Sequence, residues 1–155
     1  MTFMHGDLIS RAKTVLSGSN RPKNVFLRRA VSDAYYATFH ALALLCADHL
    51  VGVSKRNTGA WRRVYRGLEH GKAKSEFQRG DVRAMNPAIG RIGAAFIQLQ
   101  EERHSADYDP VSALRRRSDV KPLITLAETA IDDIESLPSE LCQELAAILL
   151  IKVRA

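Results

Sequence analysis

The chain has 155 residues and carries a net charge of +6 with 26% charged and 46% hydrophobic residues. That length suits one domain, the composition excludes wholesale disorder, and aromatic residues at only 6% leave alanine and leucine to fill the apolar positions. Such a balance favours closely approaching helices, and an all-α fold is expected: an up-and-down bundle of about five to six helices in a single domain spanning 1–155.

The longest apolar run, Leu145 to Ile151, falls far short of the ~20 residues that cross a bilayer. The opening Met-Thr-Phe-Met-His-Gly-Asp lacks a basic region followed by an apolar core, so a cytoplasmic location without membrane contact is expected. Cys46 and Cys142 have no metal-ligand spacing and are expected as two buried free thiols, with neither a metal nor another cofactor implied. The charge is unevenly spread. Residues 55 to 83 hold nine basic residues against three acids, while 128 to 144 hold six acids and no base. Sixteen of the 23 basic residues are arginine, whose planar fork suits phosphate and carboxylate, so a polyanion or the acidic face of a second copy is the expected partner.

In chain order, residues 5 to 17 read as an amphipathic helix closed by the turn formers Ser17-Gly18-Ser19-Asn20-Arg21-Pro22. A long helix from about Asn24, its expected N-cap, to Leu50 follows. At 3.6 residues per turn, Leu27, Val31, Ala34, Thr38, Ala41 and Leu45 form its packing stripe. Alanines 30, 34, 37 and 41 permit close approach, while Arg29, Asp33, Tyr36 and His40 line a second, polar face. A short third helix carries Trp61, Val64, Tyr65 and Leu68 beside Arg62, Arg63 and Arg66. Aromatics interleaved with arginine are the pattern that binds RNA, although spacings of four and three between Trp61, Tyr65 and Leu68 equally describe a core stripe.

Residues 70 to 85 lack sustained periodicity and read as a basic, mobile connection. A fourth helix opens at Asn86-Pro87, an N-cap followed by proline in the first turn. Its stripe of Ile89, Ile92, Phe96 and Leu99, continued by the same rule, reaches Arg103 and Ala106, so an arginine occupies a position due to a core residue. Such a guanidinium needs a partner, and Asp107 one turn later is the nearest. Asp109-Pro110 should end this helix. The chain then crosses Arg115-Arg116-Arg117 into a fifth helix, about Ser118 to Leu137, and Pro138 opens a sixth that runs to the carboxyl terminus.

The pattern Arg29-Ala-Val-Ser32-Asp-Ala34-Tyr35-Tyr36-Ala37-Thr-Phe39-His40-Ala41, followed by Arg103-x-x-Ala106-Asp107-Tyr108, resembles the HEPN family (higher eukaryotes and prokaryotes nucleotide-binding) over about residues 24 to 137. The resemblance implies a helical bundle that pairs as a homodimer. It also implies either a metal-independent ribonuclease of a toxin–antitoxin or other defence system, or a catalytically silent module that binds nucleotide, RNA or a partner and regulates another enzyme. An antitoxin or a nucleotidyltransferase is the implied protein partner. Active members carry histidine four to six residues after the arginine, whereas Tyr108, Asp109 and Pro110 occupy those positions here. His104 lies about 100° around the helix from Arg103, and Arg63-x6-His70 matches a spacing that so short a motif also meets by chance.

The expected catalytic set is therefore Arg103 as phosphate clamp, with Asp107, Tyr108, His104 and His40 around it. The expected substrate-binding set is Arg29, Asp33, Tyr36, Arg63, Arg66 and His70. Cleavage would need a base for the 2′-hydroxyl proton and an arginine for the phosphorane charge. A buried polar network that holds two helices in register uses the same residues and stays open as an alternative.

Overall fold

A computed structural model describes residues 3–18, 23–109 and 116–154. Among these it contains eight α-helices and no strand: α1 (Met4–Ser17), α2 (Asn24–Leu50), α3 (Gly59–Tyr65), α4 (His70–Phe77), α5 (Gly80–Arg83), α6 (Pro87–Tyr108), α7 (Arg117–Ser136) and α8 (Ser139–Leu150). A 3-10 turn at Val53–Lys55 joins α2 to α3. The all-α expectation holds, but the helix count exceeds the expected five to six.

α2 is the central element, with α1, α3, α6, α7 and α8 packed around it, while α4 bridges α6 and α8. The expected stripe from Leu27 to Leu45 is buried throughout, and alanines 30, 34, 37 and 41 bring neighbouring helices close. Thr38, wholly enclosed, satisfies its hydroxyl by donating to Ala34 O at 3.2 Å. Leu42, Phe96, Ile89, Ile92, Leu99, Leu145 and Leu149 complete the core, each buried large side chain contributing about 1.5–3 kcal/mol.

Helix ends follow local chemistry where the sequence supplies a cap. Asn86 accepts from Ala88 N at 2.8 Å with Pro87 in the first turn, and α6 ends at Tyr108, just before Asp109. The Asp119 carboxylate at the start of α7 accepts from Arg116 N at 2.9 Å. Lys23, not Asn24, takes the N-cap position of α2, and Asn24 is its first helical residue. The last helix stops at Leu150 rather than reaching the terminus. The expected turn at Ser19 to Pro22, Pro110 and Arg115 lie outside the described residues. Arg117 opens α7 instead of standing in a loop.

The largest departure is at 70 to 85, which holds two short helices, α4 and α5. Ala73, Phe77 and Val82 are buried anchors that dock α4 and α5 on the bundle. Tertiary burial compensates for the weak helix preference of Gly71, Ser75 and Gly80. Cys46 and Cys142 are buried free thiols, and burial pushes the Cys46 thiol up to about 12. No helix is long and apolar enough to cross a membrane among the described residues.

Candidate functional site

The stripe of α6 carries Arg103 inward as the spacing requires. Its side chain is 12% exposed, and the guanidinium lies 5.0 Å from the centre of the Tyr35 ring and 5.6 Å from that of Tyr36. A cation over two rings of α2 gains quadrupole attraction in a partly desolvated setting. The expected partner, Asp107, is on the outer side of α6 at 3.6 Å, an ion-pair distance beyond hydrogen-bond reach. Arg103 Nε is buried and meets no acceptor among the described residues. The guanidinium is therefore held by aromatic faces and only loosely neutralised.

The helical start of α4 brings His70 into the same cluster. The Tyr35 hydroxyl lies 2.5 Å from His70 Nδ1. The imidazole stacks on Phe39 at 4.0 Å between centroids and meets the Tyr36 ring edge-on at 5.8 Å. Burial, and secondarily the Arg103 charge, lowers the pKa of His70, while burial raises that of Tyr35. The imidazole is thus neutral and the phenol protonated around neutral pH.

One turn along α2, His40 Nδ1 is 2.8 Å from the Tyr65 hydroxyl, and Tyr65 stacks on Trp61 at 5.1 Å. Burial lowers the His40 pKa, with smaller contributions from His5 and His70. Trp61 is tied to the bundle by its indole N–H, which donates to Asp48 Oδ1 at 3.0 Å. Asp48 also receives Arg56 at 2.6 and 2.9 Å. The Trp61–Tyr65 stripe is consequently anchored by polar as well as apolar contacts.

Beside Arg103 a shallow cleft of about 320 Å³ is lined by Lys74, Gln100, Glu101, Arg103 and His104. His104 is exposed there, and its ring lies 4.9 Å from that of Tyr108, which is 66% exposed. Lys74 reaches Glu101 at 3.7 Å, leaving the cleft with Arg103 and Lys74 against one acid. Its size and charge suit a phosphate group. Among the described residues no group of three or more His, Cys, Asp and Glu is placed to hold a metal ion.

The structure thus unites Arg103, Tyr36, His40 and His70, with His104 on the cleft and Asp107 and Tyr108 at its edge. It separates the rest of the expected set. Asp33 is buried but turned to α1, where Arg11 forms two bonds of 2.5 and 2.7 Å with it. Asp33 belongs to a closed structural pair because the α1–α2 crossing, which periodicity does not specify, supplies the nearer cation. Arg29 is exposed. Its neighbour Arg28 instead donates to Ala106 O at 3.1 Å and Asp109 O at 2.8 Å, closing the end of α6. Arg63 and Arg66 are exposed on or just after α3 and do not line the cleft. Sequence reasoning overlooked Tyr35 as the group joining Arg103 to His70, and Phe39 as the plate under the imidazole. Both stand in the Arg29–Ala41 pattern, but nothing in the sequence pairs either of them with His70.

No protein-family model, curated protein or solved structure matches the chain.

Proposed function

We propose that this protein acts on RNA as a HEPN-type, metal-independent endoribonuclease, working as a homodimer in a toxin–antitoxin or defence setting. The observation that carries the reading is the sheltered Arg103 guanidinium, held over Tyr35 and Tyr36 with no bonded carboxylate and with a neutral histidine beside it. Closed ion pairs neutralise an arginine, whereas this one keeps its charge for an anion.

In this mechanism Arg103 binds the scissile phosphate and stabilises the phosphorane charge. His104, exposed on the same cleft, takes the 2′-hydroxyl proton. The 2′-oxygen bonds to phosphorus, the bond from phosphorus to the 5′-oxygen breaks, and the leaving oxygen takes up a proton. The products are a 2′,3′-cyclic phosphate and a 5′-hydroxyl. Lys74 adds positive charge along the approach.

A second reading is a catalytically silent module that binds RNA, nucleotide or a partner such as a nucleotidyltransferase. It is favoured by the exposed Tyr108 and by Asp109 at positions where the resemblance calls for histidine.

The test is cleavage of labelled structured RNA in EDTA by wild type and Arg103→Ala, both shown to be folded and of one oligomeric state. Cleavage that disappears in the variant supports the nuclease. RNA binding without cleavage, weakened in Arg103→Ala, supports the silent module instead.

A further inference from the structure

Tyr35 touches both polar groups of the cluster: its ring face receives the Arg103 guanidinium and its hydroxyl meets His70 Nδ1. The residue is completely buried, and among the described residues His70 is the only hydrogen-bond partner of its hydroxyl. A buried hydroxyl that fails to donate leaves its proton unsatisfied in a poorly solvated place. The Tyr35 O–H is accordingly the donor and His70 Nδ1 the acceptor. A neutral imidazole that accepts at Nδ1 carries its own proton on Nε2. That nitrogen makes no hydrogen bond to a described residue and is not one of the buried polar atoms left without a partner, so it is the ring nitrogen open to a ligand.

We propose that Tyr35 is a positioning residue that fixes His70 in the Nε2–H form, making it a hydrogen-bond donor to the same phosphate that Arg103 holds and not the base of the reaction. The ligand half of this assignment rests on the phosphodiester reading above; the tautomer does not. A neutral imidazole donor stabilises developing oxyanion charge without releasing a proton, and a donor fixed beforehand needs no reorganisation as that charge develops. The groups facing His70 are compatible with this role. Tyr35, Tyr36 and His40 of α2 present no anion, and Arg103 of α6 opposes a second positive charge on the ring.

The neighbouring pair provides an internal contrast. His40 meets Tyr65 through the same two atoms, but Tyr65 is only partly buried, so solvent competes for its hydroxyl proton and no single tautomer is imposed.

The experiment is two-dimensional proton–nitrogen NMR of the histidine rings in the full chain near pH 7.5, with His70 assigned through His70→Gln. The free wild type is expected to show an unprotonated Nδ1 and a protonated Nε2 for His70. Tyr35→Phe, which keeps the ring beneath Arg103, should mix the two tautomers. Addition of an RNA oligonucleotide carrying 2′-deoxy substitutions, which binds without being cleaved, should shift the Nε2 signal in wild type. In a cleavage assay Tyr35→Phe should lower kcat about tenfold with little change in KM, the usual scale for losing a group that orients a functional histidine.

A proton on Nδ1 in the free wild type overturns the proposal before any variant is made. So does an unchanged tautomer in folded Tyr35→Phe, or a silent Nε2 signal when the oligonucleotide binds through Arg103. An oligonucleotide that does not bind overturns the phosphodiester reading and the ligand half with it, while the tautomer is read independently on the free protein.

Discussion

Two arginine sites on either side of α2 use similar residues in opposite ways. At Arg11–Asp33 the acid is buried, at 3% side-chain exposure, while the arginine is 56% exposed and grips both carboxylate oxygens. At Arg103 the arginine is the sheltered partner, its acid stands off at 3.6 Å, and aromatic faces replace the second carboxylate contact. The first arrangement uses up its hydrogen-bonding capacity inside the fold. The second keeps a cation partly unsatisfied at the edge of a cleft, so the direction of burial distinguishes a fastener from a site.

The strongest way to break this comparison is to remove each arginine in turn. Arg103→Ala should lower RNA cleavage about 10²–10³-fold, the usual scale for losing one preorganised charge-stabilising group, measured as kcat on a labelled RNA. Its melting temperature should fall modestly through the lost contact with the Tyr35 and Tyr36 rings, since no buried carboxylate is left stranded. Arg11→Ala should do the reverse. With Asp33 left buried and unpartnered, stability should fall by about 2 kcal/mol in urea titration, discounted from the fully buried case because Arg11 is solvated. Cleavage at a temperature where the variant stays folded should be unchanged. Equal effects of both substitutions on cleavage would merge the two sites into one network.

A pH series sharpens the same contrast. His70 and His40 have folded-state pKa values below the ordinary 6.5, so below that value the unfolded chain takes up protons that the folded chain resists. Stability should therefore decline as pH falls from about 6.5 and level off once the folded-state pKa values are passed. His70→Gln should flatten part of the decline, and Arg103→Ala should reduce it by removing the cation that opposes His70 protonation. Thermal melts at closely spaced pH values between 7.5 and 5 read this out. A decline unaltered by either substitution would place the responsible groups elsewhere. The smallest effect belongs to Arg29→Ala: this exposed residue should change stability by less than about 0.5 kcal/mol and cleavage hardly at all. A cleavage loss there would return Arg29 to the substrate-binding set.

Much of this architecture was legible where a long apolar period meets clear caps. The α2 stripe, the start of α6 at Asn86-Pro87 and the inward turn of Arg103 follow from spacing alone. The partner of Asp33 did not, because a side chain 22 positions away was brought close by a helix crossing. α4 and α5 were illegible for a related reason. Each is too short to show a period, and buried Ala73, Phe77 and Val82 stabilise them only after they dock. His70 was in the expected binding set, but an imidazole in a presumed connection gave no sign of the Tyr35 hydroxyl that meets it.

That docking surface has a consequence for the site. Gly93 on α6 lies directly under Phe77, and a Cβ there would stand 2.9 Å from Phe77 Cδ1. His70 sits at the other end of the helix that Phe77 closes, and Arg103 lies further along the helix that holds Gly93. A missing methyl group therefore works as a spacer: it sets how deeply one helix seats on the other, and so the gap between the imidazole and the guanidinium. Gly93→Ala would tilt α4 like a lever about that contact, detuning two polar groups that it never touches.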